Sequence, residues 1–209
     1  KAVVVIPTYN ERETVLDTAR AVLGLPGGWR LLIVDDSSPD GTGRIVSQIA
    51  VNKPRIHLVS RPARLGYGTA YVEGFKTALD MGADYIVQMD ADYSHNPRDI
   101  PRLVEAAEDA DIVIGSRYVR GGSTSGWPFR RRLISRAASF VVRVLLGLRI
   151  RDCTGGFKCF RRSTLESLDF AMIRSKGFAS SYEINYFCHR SGKTLREVIR
   201  SRKFHPSIE

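Results

Sequence analysis

The 209-residue chain has few of the features that mark disulfide-rich, metal-stabilised or membrane-spanning proteins. It has three cysteines, an odd number without C-x-x-C or zinc-ligand spacing, which indicates reduced thiols in a reducing compartment. No run of 18 apolar residues occurs, so the sequence predicts no membrane-spanning helix. A chain of this length can bury a sizeable core, and we expect a single domain over residues 1–209.

Acidic residues are nearly missing from one segment. Residues 117–162 contain twelve lysines and arginines but one acid, Asp152, and so net +11, whereas the whole chain nets +10 and the remainder nets −1. A basic block on a near-neutral body indicates an anionic partner. Composition alone leaves both nucleic acid and an acidic membrane surface open as that partner.

Short apolar runs alternate with segments of helical periodicity in the first half of the chain. Strands that read as continuous valine, isoleucine and leucine runs, separated by helices, predict a mostly parallel sheet covered on both faces, and so an α/β fold. The predicted strands are residues 2–6, 31–34, 56–59, 85–89 and 112–114, and the predicted helices are residues 11–23, 43–51, 68–81 and 99–107.

Acidic side chains follow several of these strands, at the sheet edge where α/β proteins bind their ligands. Asp90 and Asp92, after the fourth strand, place two carboxylates within reach of one divalent ion. Ser94 and His95 are further candidates for contact with that ion or its water. The alternative is a helix cap or a solvated turn.

The turns after the second and third strands carry weaker signals. Asp35 or Asp36 could hydrogen-bond a base or a ribose, whereas we expect Asp40 to cap the next helix. The segment 64–70, R-L-G-Y-G-T-A, enters a helix through two glycines. Backbone N–H groups there could approach a phosphate, but a tight turn with close helix packing is the favoured interpretation.

A helix is predicted near residues 133–148, within the basic block. At about 100° per residue, its arginines and one serine form a narrow stripe, and its apolar residues lie away from that stripe. The pattern predicts either an interfacial helix on a membrane or a core helix with a solvated arginine face. Trp127 and Phe129 favour the membrane surface. The stripe is Arg132, Arg136, Ser139 and Arg143, and the apolar residues are Val141, Val142, Leu145 and Leu146.

Four sequence blocks together resemble the dolichol-phosphate or polyprenol-phosphate mannose synthases, which are inverting family-2 glycosyltransferases with the GT-A fold. The blocks are V-I-P-T-Y-N-E, V-D-D-S-S-P-D-G-T, M-D-A-D-Y-S-H-N-P, and G-S-R-Y-V-R-G-G followed by W-P-F-R-R-R-L-I-S. The resemblance extends from Ala2 to about Cys188. It implies a Rossmann-like sheet with helices on both faces, a nucleotide-sugar half at residues 1–116 and an acceptor- and membrane-facing half at residues 117–209.

The resemblance also implies roles for individual residues. Asp92 is expected to be the principal ligand of Mg²⁺ or Mn²⁺, with Asp90 and Ser94 beside it. The implied catalytic residues are Asp92, Arg117 and Arg131. The implied donor-binding residues are Pro7, Tyr9, Glu11, Ile33, Asp35, Asp90, Ala91 and Asp92, and the implied acceptor-phosphate residues are Arg117, Arg131 and Ser135. The chain departs from the family pattern near its end, so Arg200, Arg202 and Lys203 receive no role.

The implied reaction is transfer of mannose from GDP-mannose to a polyprenyl or dolichyl phosphate, with inversion to a β-linked product. The expected partners are these substrates, a membrane surface and a membrane-anchoring subunit or segment, and not nucleic acid. The expected location is peripheral, at the cytoplasmic face of the endoplasmic reticulum or of a prokaryotic plasma membrane.

Three alternatives stay open at this point. The closest is a sister enzyme that uses UDP-glucose or another nucleotide sugar. A nucleic-acid-binding module would exploit the basic block, but it leaves the clustered aspartates unexplained. A non-catalytic membrane-docking subunit would bind lipid without turnover.

Overall fold

The computed structural model describes residues 1–122, 128–204 and 206, with all of their side chains except that of Arg131; Trp127 lies outside these residues. Within them, one sheet has seven strands in the order β3-β2-β1-β4-β6-β5-β7. The strands are β1 (Ala2–Thr8), β2 (Arg30–Asp35), β3 (Ile56–Ser60), β4 (Tyr85–Gln88), β5 (Ile112–Ser116), β6 (Lys158–Arg161) and β7 (Leu195–Ile199). The helices are α1 (Val15–Gly24), α2 (Thr42–Ala50), α3 (Tyr67–Asp80), α4 (Ile100–Ala106), α5 (Phe129–Leu146), α6 (Arg162–Glu166) and α7 (Ser180–Arg190), with 3-10 turns at Pro97–Asp99 and Phe170–Met172.

Six of these strands run in the same direction. β1, β2, β3 and β4 pair in parallel, as do β5 and β7. β6 is inserted between β4 and β5 and is antiparallel to both. The carboxyl ends of six strands and the amino end of β6 therefore meet at one edge of the sheet, so the segment before β6 reaches the same place as the loops after the other strands.

The strand β1 shows why the sequence reads as continuous apolar runs. Val4 and Ile6 pack on one face of the sheet, in a core cluster shared with α1, α2 and α4. Val3 and Val5 pack on the other face, in a cluster shared with α3, α6 and α7. All four side chains are inaccessible to solvent. Because neither face is solvated, the strand has no polar alternation, and the predicted α/β fold is confirmed.

Several predicted boundaries were wrong. Helix α1 begins at Val15 instead of Glu11, because residue 10 adopts a left-handed φ of 61° and the Glu11 carbonyl accepts the N–H of Thr14 in a turn. Helix α4 begins after a 3-10 turn, at Ile100. Helix α5 begins earlier than predicted, after Pro128, and ends at Leu146. Strands β6 and β7 were not predicted.

Helix α5 presents three faces, where two were predicted. Ser139 is 2% exposed, so the predicted arginine stripe is interrupted by a packing position. Val142 and Leu146 pack against the core, whereas Val141 and Leu145 face solvent. The exposed apolar side chains of α5 are Phe129, Leu133, Ile134, Phe140, Val141, Val144 and Leu145, and the exposed Arg132 and Arg136 lie beside them. The helix therefore leaves a broad apolar face uncovered, and its docking on a membrane stays a prediction.

Lys158, at the amino end of β6, is fully buried. Its ammonium group donates hydrogen bonds to the Ser181 carbonyl (2.6 Å), the Ser181 hydroxyl (2.8 Å) and the Asn185 side-chain oxygen (2.9 Å) on α7. Ser181 and Asn185 in turn donate to the carbonyls of Gly155 and Cys153. This network fixes the segment before β6 onto α7. Burial lowers the pKa of Lys158 to about 7.

We expect Lys158→Met to change how stability depends on pH. Below about pH 7 the lysine is charged in the folded and unfolded chains alike, so its burial cost is fully present. As the pH rises from there towards the ordinary value of 10.5, the folded chain loses the proton first and that cost disappears. Across this range the unfolding free energy of the wild type should rise, relative to the variant, by at most about 5 kcal/mol. Urea unfolding at a series of pH values measures it, and a pH-independent difference would contradict it.

Candidate active site

A cavity of about 510 Å³ opens at the edge where the strands end. It is bounded by the residues after β1, β2 and β4, by the turn before α3 and by the segment before α7. The lining residues are Pro7, Thr8, Tyr9, Glu11, Asp36, Arg64, Gly66, Tyr67, Ala70, Asp90, Ala91, Asp92, Lys176, Gly177 and Phe178. Six of the eight predicted donor-binding residues therefore lie in one cavity.

The two aspartates after β2 are held by the protein itself. Asp35 accepts hydrogen bonds from the hydroxyls of Thr8 (2.9 Å) and Ser38 (2.6 Å). Asp36 forms a buried ion pair with Arg61 (2.6 Å) and accepts two backbone N–H groups from the turn before α3. Both carboxylates are thus hydrogen-bonded by the protein itself, and Asp36, the one with a cationic partner, lines the cavity.

Two further predicted residues lie near this wall but not in it. The side chain of Ile33 is 1% exposed and belongs to the core. The carboxylate of Asp35 is also absent from the cavity lining. Nucleotide binding by Ile33 and Asp35 therefore stays a prediction. Asp40 accepts the backbone N–H and the hydroxyl of Thr42, the first residue of α2, but the N-cap residue of this helix is Gly41, so Asp40 lies one residue before the cap position that was predicted for it.

Asp90 lines the cavity and is held by three neighbours. Its Oδ1 accepts the hydroxyls of Tyr67 and Tyr71, each at 2.9 Å. Its backbone N–H donates to Nδ1 of His95 (3.0 Å), so the proton of a neutral His95 lies on Nε2, 3.9 Å from Oδ2 of Asp90. Burial and the nearby Asp92 raise the pKa of Asp90 to about 6, against the opposing effect of the tyrosine hydroxyls. The site therefore favours a ligand that brings positive charge to Asp90.

Asp92, by contrast, is exposed, and its Oδ1 accepts the backbone N–H of Ser94 (2.9 Å). Burial raises the pKa of the nearby Glu11, and the charge of Asp92 raises it further, so this wall also disfavours uncompensated negative charge. No group of three histidine, cysteine or acidic side chains suited to a metal occurs in the described residues. Two carboxylates on an open cavity nevertheless fit a hard divalent cation, which keeps few protein ligands and shares phosphate oxygens of a substrate. A role for the Ser94 hydroxyl stays a prediction.

Arg117, after β5, is positioned by the buried carboxylate of Asp152. Its Nε donates to Oδ2 (2.7 Å) and its Nη2 donates to Oδ1 (2.5 Å), and Nη2 also reaches the hydroxyl of Thr154 (2.9 Å). A bidentate pair of this kind fixes the orientation of the guanidinium plane. Asp152 and Thr154 reach Arg117 because the antiparallel β6 begins at the edge where β5 ends.

Ser135, on α5, is joined to the end of β5 through Tyr118. The Tyr118 hydroxyl donates to the Ser135 hydroxyl (2.6 Å). The guanidinium groups of Arg117 and Arg136 lie 5.3 Å and 5.5 Å from the centroid of the Tyr118 ring. The structure thus brings Arg117 and Ser135 to a common neighbour. The side chain of Arg131 lies outside the described residues, so its part in acceptor binding stays a prediction.

Arg200, directly after β7, is the residue of the site that sequence reasoning left unassigned. It is 5% exposed, and its side chain forms no hydrogen bond or ion pair within the described residues; its Nε is buried without a partner. Burial and the charge of Arg117 lower the pKa of Arg200, while Asp152, Asp90 and Asp92 raise it. A buried guanidinium without a carboxylate partner is suited to an anionic ligand. Its sequence signals were its place after the alternating residues L-R-E-V-I and its place among Arg200, Arg202 and Lys203, the basic residues that could replace the family's basic stretch near the chain end.

Comparison with known proteins places the chain in a family. Residues 3–169 match the glycosyl transferase family 2 model, and the chain therefore belongs to glycosyl transferase family 2. It is similar to the undecaprenyl-phosphate mannosyltransferase of Micrococcus luteus, with 41% identity over 95% of this chain and 82% of that protein. It is also similar to the polyprenol monophosphomannose synthase of Mycolicibacterium smegmatis, with 40% identity over 95% of this chain and 76% of that protein. The resemblance seen in the sequence is confirmed.

Solved structures confirm the GT-A fold. The glucosyl-3-phosphoglycerate synthase of Mycobacterium tuberculosis in complex with UDP aligns with a TM-score of 0.67 and 21% identity over 99% of this chain and 73% of that one. The same enzyme with Mn²⁺, UDP and phosphoglyceric acid aligns with a TM-score of 0.67 and 21% identity, over 99% of this chain and 72% of that one. In the described residues, no helix has the length and apolar character needed to cross a membrane.

We expect Arg200→Met to raise stability while weakening anion binding. Without ligand, the variant removes a buried guanidinium whose side chain forms no hydrogen bond or ion pair within the described residues, so its unfolding free energy should rise by about 1–3 kcal/mol. A bound anion stabilises the folded chain by mass action, so inorganic pyrophosphate with Mn²⁺ should raise the melting temperature of the wild type more than that of the variant. Thermal unfolding with and without this ligand measures both effects. Equal shifts in the two proteins would show that Arg200 does not contact the anion.

Proposed function

We propose that this chain transfers mannose from GDP-mannose to a polyprenyl phosphate, giving β-linked polyprenyl-phosphate mannose with inversion. The observation that carries the proposal is the 40–41% identity, over 95% of the chain, to two enzymes named for a polyprenol-phosphate mannose product. The site geometry supports it, because carboxylates and buried guanidinium groups meet at one sheet edge. Such an edge is suited to substrates that are rich in phosphate.

The donor is assigned to the cavity of the nucleotide-sugar half. Asp90 and Asp92 are the residues that would hold a divalent cation against the donor pyrophosphate, and a cation bound there would neutralise charge on the departing nucleotide. Tyr9 lines the same cavity, with the Arg64 guanidinium 4.2 Å from its ring centroid. Mg²⁺ and Mn²⁺ both suit these oxygen ligands, and the assay below tests the choice between them.

The acceptor is assigned to the side of the edge formed by β5, the segment before β6 and α5. Arg117 and Ser135 lie there, with Arg131 one helical turn before Ser135. The uncovered apolar face of α5 supports a membrane surface as the place where the lipid is met. We place the protein at the cytoplasmic face of such a membrane, with an anchoring subunit or segment as a further partner.

The reaction needs no strong general base. A phosphate oxygen of the lipid attacks the anomeric carbon, the bond from that carbon to the donor pyrophosphate breaks, and its electron pair leaves with GDP. The lipid phosphate is already ionised near neutral pH, so the protein has to seat and align it. Arg117, fixed by Asp152, provides a cationic seat that requires little reorganisation. A single displacement on the α-linked donor gives the β-linked product.

The test is transfer of radiolabelled mannose from GDP-mannose to a polyprenyl phosphate in detergent, with Mn²⁺, with Mg²⁺ and with EDTA. Labelled lipid should form only with metal, and Asp92→Ala should reduce it as EDTA does, whereas the exposed Asp80→Ala at the end of α3 serves as the matched control. UDP-glucose in place of GDP-mannose tests the sister activity. If labelled lipid forms equally well with EDTA, the reaction does not need the metal. If labelled lipid forms from UDP-glucose and not from GDP-mannose, the donor is UDP-glucose.

Arg131→Ala tests the acceptor assignment. We expect it to raise the concentration of polyprenyl phosphate needed for half-maximal rate by about tenfold or more, because a charged hydrogen bond to phosphate is lost. The affinity for GDP should not change. Arg130→Ala, one residue earlier on the same helix, is the matched control. A loss of GDP affinity with unchanged acceptor dependence would assign Arg131 to the donor site instead.

A further inference from the structure

One wall of the donor cavity comes from the other half of the chain. Lys176, Gly177 and Phe178, in the segment before α7, line the cavity beside the carboxylates of β4. The Phe178 side chain is 74% exposed, and its ring lies 4.5 Å from the ring of Tyr67, centroid to centroid. An aromatic side chain that lines a cavity beside a few polar groups is suited to contact a ligand there.

The segment is held against the start of α3 by two glycines. The N–H of Gly68 donates to the carbonyl of Lys176 (2.8 Å). A Cβ on Gly68 would overlap the carbonyl oxygen of Ser175, and a Cβ on Gly66, whose φ is +109°, would lie 2.7 Å from the Lys176 oxygen. The R-L-G-Y-G turn is therefore a tight turn with close packing, as the sequence favoured. Its Gly68 N–H is used by the protein and not by a phosphate.

The other side of the segment is fixed by α7. Glu183 accepts the backbone N–H of Ser175 (3.0 Å) and its hydroxyl (2.8 Å). Backbone contacts to α3 and side-chain contacts to α7 thus hold the segment on both sides. The exposure of Phe178 follows from a fixed backbone, which points its ring at the cavity.

We propose that Phe178 contacts the sugar of the nucleotide-sugar donor and thereby sets the affinity for the sugar part of that substrate. Tyr67 joins the two features on which this rests: its ring packs on Phe178, and its hydroxyl holds Asp90. A sugar linked to the terminal phosphate of a nucleotide lies one bond beyond the pyrophosphate, next to these carboxylates. Aromatic rings pack against the apolar face of such a ring while its hydroxyls meet polar groups. The inference rests on the proposed function, because it takes the cavity as the donor site.

Binding of nucleotides with and without the sugar tests this contact. Calorimetry on the full chain with Mn²⁺ compares GDP with GDP-mannose and UDP with UDP-glucose. For the pair that the wild type binds, Phe178→Ala should weaken the nucleotide sugar about tenfold and the bare nucleotide less than twofold, and Phe178→Tyr should restore the affinity. Equal weakening of both ligands, or no weakening of either, would overturn the proposal.

The packing of residues 175–178 against Gly68 is tested by Gly68→Ala. Gly24→Ala, at the end of α1, is the matched control, since a Cβ there meets nothing within 4 Å. Gly68→Ala should displace the segment and weaken the nucleotide sugar selectively, whereas Gly24→Ala should have no effect. Wild-type affinity of Gly68→Ala for the nucleotide sugar would overturn the role of this packing. Binding by the wild type tests the proposed function separately. If the wild type prefers UDP and UDP-glucose, the donor assignment is wrong, and the role of Phe178 is tested with that pair. If it binds neither pair, both proposals are overturned.

Discussion

The meeting of several carboxylates at one sheet edge is the constraint on which the rest of the structure depends. Parallel strands bring their carboxyl ends together, so Asp35, Asp36, Asp90 and Asp92 approach one another whatever else the chain does. The protein hydrogen-bonds Asp35 with two hydroxyls and pairs Asp36 with Arg61. It compensates Asp90 in part and leaves Asp92 exposed. Asp92 is therefore the least compensated of the four carboxylates, and a ligand bound in the cavity that Asp92 lines would supply the missing positive charge.

The two arginines of the site also differ in how far the protein compensates their charge. Arg117 has a buried carboxylate partner, whereas Arg200, close by, has none within the described residues. Within the described residues, the site therefore presents an exposed carboxylate, Asp92, without a cationic partner and a buried guanidinium, Arg200, without a hydrogen-bonded partner. A ligand that combines a divalent cation with a pyrophosphate satisfies both at once. Binding of the cation alone or of the anion alone leaves one of the two charges uncompensated.

The antiparallel strand β6 makes this arrangement possible. A parallel strand in its place would send the segment before it to the opposite edge of the sheet. Because β6 runs the other way, Asp152 reaches Arg117, and Gly156 lies where its Cβ would be 3.4 Å from Oδ2 of Asp90. Lys158 then ties that segment to α7, the helix that follows the Phe178 wall. One reversed strand thus connects the two halves of the chain at the site.

The sequence predicts the features that depend on local residue patterns and misses those that depend on tertiary packing. The first half was predicted well, because strands buried on both faces and turns rich in aspartate are local signals. β6 was missed because a lysine at its start, fully buried in the structure, reads as a surface residue. β7 was missed because its alternating residues are those of a strand at the edge of the sheet. Tyr71, Arg200 and Phe178 were missed at the site because only tertiary packing brings them there.

Helix α5 shows the same limit of prediction from sequence. Its 3.6-residue period distinguishes arginines from apolar residues, but it does not tell which apolar residues meet the protein and which meet solvent. The structure divides them: Val142 and Leu146 face the core, while Val141 and Leu145 do not. An apolar face of that breadth is costly in water, and exposed arginines flank it. Docking on a bilayer, which stays a prediction, would cover the apolar side chains and pair the arginines at the same time, on the surface where a polyprenyl phosphate would be found.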